Sequence, residues 1–211
     1  GVFNFGEIGD IDESLPLATT TISSVSKDGI TGEGGDFVVE PVLDNSEGSQ
    51  ATIKAQPDLG RAIVYSKDLG ADAKEILEEK IQSLKGKILS GASTYQNWID
   101  LGNLAKTAGD YQFASICWVY VTDINDNDPV LHSNLGNLYG YYLKDNALAE
   151  IHYLKSIELE PQVSNWYVRT SDFYKDVVKD LDLAKVILAK GLSVIPGDVS
   201  LTKALNTLGA K

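Results

Sequence analysis

Leu101-Gly102-Asn103-Leu104 decides how this chain is read, because it returns as Leu135-Gly136-Asn137-Leu138, 34 residues later. The surroundings keep step. Trp98, His132 and Trp166 are spaced by 34 and 34. Ala114, Ala149 and Ala184 are spaced by 35 and 35, and Trp118, Tyr153 and Leu188 follow at the same interval. A large residue, a Leu-Gly pair, an alanine and an aromatic thus recur in order, which is the pattern of stacked helical hairpins.

Working outward, hairpin one is expected over 94–128, with Trp98, Leu101, Leu104 and Ala105 on helix A and Ala114, Cys117, Trp118 and Val121 on helix B. Hairpin two, 130–161, places Leu135, Leu138 and Tyr139 on A and Ala149, Tyr153 and Ile157 on B. Hairpin three, 163–196, places Trp166, Phe173 and Tyr174 on A and Ala184, Leu188 and Leu192 on B. Gly102 and Gly136 are small where A crosses B closely, and the three alanines are small on the opposing side. Ahead of the hairpins, Ile76, Leu77, Ile81, Leu84 and Ile88 fall on one face of a helix opening at Asp72 and ending at Gly91. Leu201, Leu205 and Leu208 predict a final closing helix.

The Trp98…Leu101-Gly102 opening, the Gly109-Asp110-Tyr111 turn, Ala114 and the Glu160-Pro161 ending resemble the tetratricopeptide-repeat family. The resemblance covers about 94–196, or about 70–211 with the flanking helices. It departs at Arg169-Thr170, which stands where Leu-Gly is expected, and at Pro129, which arrives late. The resemblance implies a right-handed stack of three hairpins, and a protein- or peptide-binding scaffold whose groove is lined by the inner face of the A helices. In the 34-residue register that face holds Ile99, Ser133 and Tyr167; Asn103, Asn137 and Ser171; Lys106, Gly140 and Tyr174; and Thr107, Tyr141 and Lys175. Asparagine and tyrosine suit an extended peptide backbone. The alternative is that the chain's own N-terminal segment fills the groove. Family members that grip chaperone C-termini use a clamp of basic residues and asparagines. Asn103 and Asn137 match part of it, but Ile99 and Tyr167 are not lysines, so that function is rejected.

Residues 1–68 have no counterpart in the family. Leu15–Ser26, Phe37–Leu43, Gln50–Ala55 and Arg61–Ser66 read as short strands separated by Gly- and Asp-rich turns. The expected fold is therefore α+β, with a β-rich segment over 1–68 and a helical domain over 69–211. Phe3 and Phe5 alternate as on one face of a strand, with Ile8 three residues further on. They either cover the chain's own core or add to a partner subunit, where backbone bonds give affinity.

The net charge is -12, and residues 1–60 carry 11 acidic residues against Lys27 and Lys54. No basic stripe exists to hold nucleic acid, and no apolar run is long enough to span a membrane. Cys117, the single cysteine, excludes an internal disulfide. The chain has no methionine and starts at Gly1, which predicts a trimmed chain or a mature product that has lost a leader.

Chemistry is sparse. Asp10–Ser14 lacks the glycine and distal glutamate of a calcium loop, and Asp123–Pro129 lacks the same two residues. Gly29–Asp36 is followed by no Lys-Ser/Thr pair and opens no helix, so it is not a phosphate loop. His132 and His152, the only histidines, replace core residues by register and read as structural. Cys117 reads as an apolar filler. No catalytic residue, cofactor or metal is expected. The function expected is non-enzymatic protein–protein interaction, as a structural subunit of an extracellular or cell-envelope assembly, with other copies of itself among its partners. The alternative is a soluble, cytoplasmic adaptor holding a peptide in its groove.

Overall fold

The computed structural model describes residues 55–91 and 94–209. The expected strands over 15–26 and 37–43, all but the last residue of that over 50–55, and Phe3, Phe5 and Ile8 lie outside the described residues. Those described belong to one compact unit, Ile53–Lys211. They form eight α-helices and no strand. α1 (Ala71–Leu89) precedes the hairpin α2 (Tyr95–Ala108) and α3 (Tyr111–Ile124). The second hairpin is α4 (Pro129–Asn137), continued by a π-helical turn Leu138–Leu143, and α5 (Asn146–Leu159). The third is α6 (Ser164–Phe173), continued by a π-helical turn Tyr174–Val178, and α7 (Leu181–Val194). α8 (Val199–Gly209) closes the series. Each helix packs on the next, and α8 lies against both α6 and α7.

The helix starts are written in aspartates. Asp110, Asp128, Asp145, Asp180 and Asp198 each accept, through a carboxylate oxygen, the N–H of the residue three positions on. Each satisfies one of the donors a helix leaves open at its N-terminus. Thr94 does the same for α2, and Asn97 returns the bond to close a capping box. Val163 begins α6 without a side-chain cap.

These caps set the true register. The B helices start at Asp110, Asp145 and Asp180, spaced by 35 and 35. The A helices start at Thr94, Asp128 and Val163, spaced by 34 and then 35. Counted from its cap, Tyr167, not Trp166, is the counterpart of Trp98 and His132, and Thr170-Ser171 is the counterpart of the Leu-Gly pairs. The π-helical turns absorb the residue by which hairpins two and three are longer from cap to cap. Each ends on a left-handed lysine, Lys144 at φ 61° and Lys179 at φ 66°, where hairpin one has Gly109 at φ 96°.

The packing follows from the same register. Gly102 lies under the indole of Trp118, and a Cβ on Gly136 would sit 2.8 Å from the Tyr153 ring. In hairpin three the B-helix residue is Leu188, and the smaller side chain makes room for Ser171, which donates to the Ala184 carbonyl at 3.0 Å. Two buried clusters result, one over α1–α4 with Trp98, Phe113, Trp118 and Leu135, the other over α5–α8 with Tyr153, Tyr167, Phe173 and Leu188. On α1, Leu77, Ile81, Leu84 and Ile88 are buried as expected. Ile76, expected on that face, is 52% exposed.

Arg61–Ser66 is not a strand. Burial alternates along it, but it belongs to no sheet among the described residues. Its backbone groups go to the helices instead. Ser66 N–H donates to the Ala108 carbonyl at 2.7 Å, Val64 N–H to Asp110 Oδ2 at 2.9 Å, and Lys85 Nζ to the Arg61 carbonyl at 2.8 Å. The Arg61 guanidinium forks onto both oxygens of Asp110 and lies over the Phe113 ring. Burial would raise the Asp110 carboxyl, but the Arg61 bonds and the Val64 and Phe113 N–H groups outweigh it and hold the group below its ordinary value.

Candidate functional site

The expected groove residues divide by burial. Asn103 is exposed, and Ile99, Lys106, Asn137 and Tyr141 are partly buried on the A helices or their π-helical extension. Ser133, Tyr167, Ser171 and Tyr174 are buried, at 0%, 0%, 3% and 6% exposure. The third-hairpin members are buried because the 34-residue register slips by one there. In the observed register the counterparts of Ile99, Asn103, Lys106 and Thr107 on the third hairpin are Val168, Asp172, Lys175 and Asp176. Tyr167 donates its hydroxyl to the Pro161 carbonyl at 3.0 Å, and Tyr174 donates to Glu150 Oε1 at 2.6 Å, so both phenols are engaged in the packing.

The partly buried members do come together, with one residue that sequence reasoning treated only as a departure from pattern. Lys106 Nζ on α2 donates to Asn137 Oδ1 on α4 at 3.3 Å. The ammonium also faces the rings of Tyr142 and Trp118, at 5.1 and 5.9 Å from their centroids. Arg169 Nη2 on α6 donates to the Ser133 carbonyl on α4 at 3.4 Å. Three successive A helices are thus joined by polar contacts along one face. Burial, reinforced by Arg169, lowers the Lys106 pKa. Burial, then the carboxylates Asp176 and Asp172, raise that of the Tyr141 phenol. Asp172 and Asp176 are both engaged by Lys175, at 2.7 and 3.6 Å. Asn137 also reaches the phenol of Tyr153, which burial pushes up to about 12. Next to this face, a cleft of about 600 Å³ between α1 and α2 is lined by Glu79, Lys80, Asp100 and Asn103 among others.

The two histidines, read separately from sequence, meet. His132 Nδ1 lies 3.0 Å from His152 Nδ1, and His132 Nε2 lies 2.9 Å from Asp126 Oδ1. Lys155 Nζ holds the other oxygen of Asp126 at 3.3 Å, and the Tyr139 ring stacks on His152. Burial, then the neighbouring His132, depress the His152 pKa to about 4. The signal for this pairing was in the register: counted from the caps, His132 and His152 occupy the positions of the core residues Trp98 and Cys117. Cys117 itself is fully buried, and desolvation pushes its thiol up to about 12, which makes it unreactive filler. Among the described residues no group of three His, Cys, Asp or Glu is placed to hold a metal ion, and no helix is long and apolar enough to cross a membrane.

No family model matches this chain, and no curated protein matches it. Solved structures do. The chain is similar to the crystal structure of MamA protein, at 15% identity over 65% of this chain and 74% of that one, with a TM-score of 0.52. It is similar to the C-terminal part of a TPR repeat-containing protein from Cytophaga hutchinsonii, at 21% identity over 72% of this chain and 61% of that one, with a TM-score of 0.51. A looser match, with a TM-score of 0.44 at 23% identity over 55% of this chain and 90% of the other, is to the first TPR of Spaghetti (RPAP3) bound to HSP90 peptide SRMEEVD. With helix hairpins repeating at the family's interval and glycines under the B-helix aromatics, the described part of the chain has the tetratricopeptide-repeat fold.

Proposed function

We propose that this chain is a non-enzymatic protein-interaction module which holds an extended segment of a partner protein on the shared face of α2, α4 and α6. The observation that supports this reading is the polar line across three helices, from Lys106 through Asn137 to Arg169. Side chains fixed by contacts between helices lose little further freedom on binding, and so favour association. Asn103 and Tyr141 add an exposed amide and a flat, amphipathic ring at the edges of that line. The test is a pair of substitutions, Asn103→Ala with Asn137→Ala, on partners isolated by site-specific crosslinking from Tyr141. Affinity measured by calorimetry should fall at least several-fold. Unchanged affinity for every crosslinked partner would remove this face as the site.

The first residues carry a separate proposal, supported by sequence alone. Phe3, Phe5 and Ile8 enter a neighbouring copy as an added strand, in an extracellular or cell-envelope assembly. Deleting residues 1–8 should then convert an oligomer in size-exclusion chromatography to a monomer. A full-length chain that already runs as a monomer removes the idea.

A further inference from the structure

We infer that the outer face of the B helices is a self-association surface, on which α5 packs antiparallel against α5 of a second copy of this chain. The surface is separate from the A-helix face proposed above and makes no use of residues 1–8.

A row of exposed apolar side chains keeps register across the B helices. Ile116 on α3, Ile151 on α5 and Val186 on α7 are spaced by 35 and 35, and are 36%, 45% and 53% exposed. On α5 this row crosses a second one, Leu148, Ile151 and Leu154, three residues apart and all exposed. Leu183 on α7 repeats Leu148 and is exposed too. Apolar residues scattered singly over a surface are ordinary, but a connected patch marks an interaction site. The outer faces of α3 and α5 run together, since Val119, Ile151 and Leu154 line one cleft of about 480 Å³. Hairpin one shows what such a position takes. The counterpart of Leu148 and Leu183 there is Phe113, fully buried, with Arg61 and Lys85 laid over its ring.

Charge selects the occupant. When two identical helices meet antiparallel about a two-fold axis, residues equally far on either side of that axis face each other. With the axis along the apolar row, Ile116, Ile151 and Val186 each meet their own copy, and Leu148 meets the partner's Leu154. Ala147 falls opposite the partner's Lys155, where a small side chain leaves room for the lysine stem. Further out, Lys144 faces the partner's Glu158 and Asp182 faces the partner's Lys190, and all four are exposed. Symmetry forms each pair twice, so opposite charges ring an apolar centre. Glu158 and Asp182 are largely exposed, so their present pairs with Lys155 at 3.1 Å and Lys185 at 3.8 Å compete weakly. A parallel arrangement would instead set Lys144 against Lys144 and Glu158 against Glu158. One face that complements itself in both shape of stripe and sign of charge calls for a second copy, not an unrelated protein. The patch lies at the lower end of stable interfaces, so the dimer should form at micromolar chain concentrations and come apart in dilute chromatography.

The test is sedimentation equilibrium of the full chain from low to high micromolar concentration. A monomer–dimer equilibrium is expected. Ile151→Glu sets two like charges face to face on the axis and should weaken the dimer roughly a hundredfold or more. Val186→Asp serves as the second variant should Ile151→Glu lower the melting temperature. Asp182→Lys places a lysine against Lys190 and should cost roughly tenfold, and adding Lys190→Asp should restore the wild-type value. Ile151→Cys should give an intermolecular disulfide on mild oxidation, because the axis brings this position against itself. Deleting residues 1–8 should leave the dimer intact. A chain that stays monomeric at every concentration overturns the inference, as does a dimer that neither Ile151→Glu nor Val186→Asp weakens. So does a dimer lost with residues 1–8, and so does a charge exchange that fails to restore association.

Discussion

Acid should loosen this protein through His152 before it does so through its carboxylates. Folding favours the neutral ring, because burial and the facing His132 depress the His152 pKa from 6.5 to about 4. The direction follows from linkage. Above pH 6.5 neither the folded nor the unfolded chain protonates this ring, and its contribution to stability is complete. Between pH 6.5 and about 4 the unfolded chain takes up the proton first, so stability falls. Below about 4 both states are protonated and the loss is finished. A depression of that size corresponds to about 3 kcal/mol, a large share of the stability of an ordinary domain. Carboxylates held low, such as Asp110, also lose stability on acidification, so the comparison must be with a variant. His152→Cys places there the residue that hairpin one uses at the same position. Urea denaturation across the range should show the wild type losing about 3 kcal/mol more than this variant between pH 7 and pH 4. With only two histidines, NMR can follow each ring directly. Parallel stability curves for the two proteins, or an imidazole titration of His152 near 6.5, would refute the reasoning.

Three further outcomes follow from the packing. Gly136→Ala drives a methyl into the Tyr153 ring, 2.8 Å from the new Cβ, and should cost about 1–3 kcal/mol, seen as a lower midpoint in thermal unfolding. Lys144→Gly removes a side chain from a left-handed position and should raise stability by about 1 kcal/mol, with Lys179→Gly behaving alike. Asp110→Ala leaves the Arg61 guanidinium and the Val64 and Phe113 N–H groups without their acceptor. It should cost about 3 kcal/mol and expose the chain around Arg61 to trypsin while α4–α8 stay protected.

Much of the helical part was legible because the repeat is carried by packing. Leu101-Gly102 and Leu135-Gly136 recur since the helices cross at the same place, under Trp118 and Tyr153. The third hairpin misled because Trp166 and Tyr167 are adjacent aromatics, and size alone does not say which continues the row. The 35-residue step between the helix-capping Asp145 and Asp180 points from His132 to Tyr167, since hairpins two and three have the same length from cap to cap. Choosing the wrong neighbour turned Tyr167, Ser171 and Tyr174 into surface residues on paper, when all three are core. Arg169 was passed over for the same reason: in the shifted register it replaced a core leucine, whereas in the observed one it aligns with Asp100 and Asn134 on the A-helix surface. The strand expected over Arg61–Ser66 failed for a different cause. The flanking turn was read correctly, but the segment's partner is Asp110, 46 residues from Val64, which no local pattern reveals.

The exchange of Gly and aromatic for Ser and Leu in hairpin three bears on how the chain finds its own order. Similar hairpins laid end to end invite mispairing, in which one A helix takes a neighbour's B helix, within a chain or between two chains. Here the keys differ. Trp118 against Ser171 would have no space for its indole, and Leu188 against Gly102 would leave a hole where the indole belongs, each at a cost of about 1–3 kcal/mol or more. The His132–His152 contact adds a polar key to hairpin two alone, because either ring set opposite an apolar partner would lose its hydrogen bond. A repeat built for uniform stacking thus carries three separate tokens of identity, one for each pair of helices, and these guard its sequence of assembly against exchange with itself.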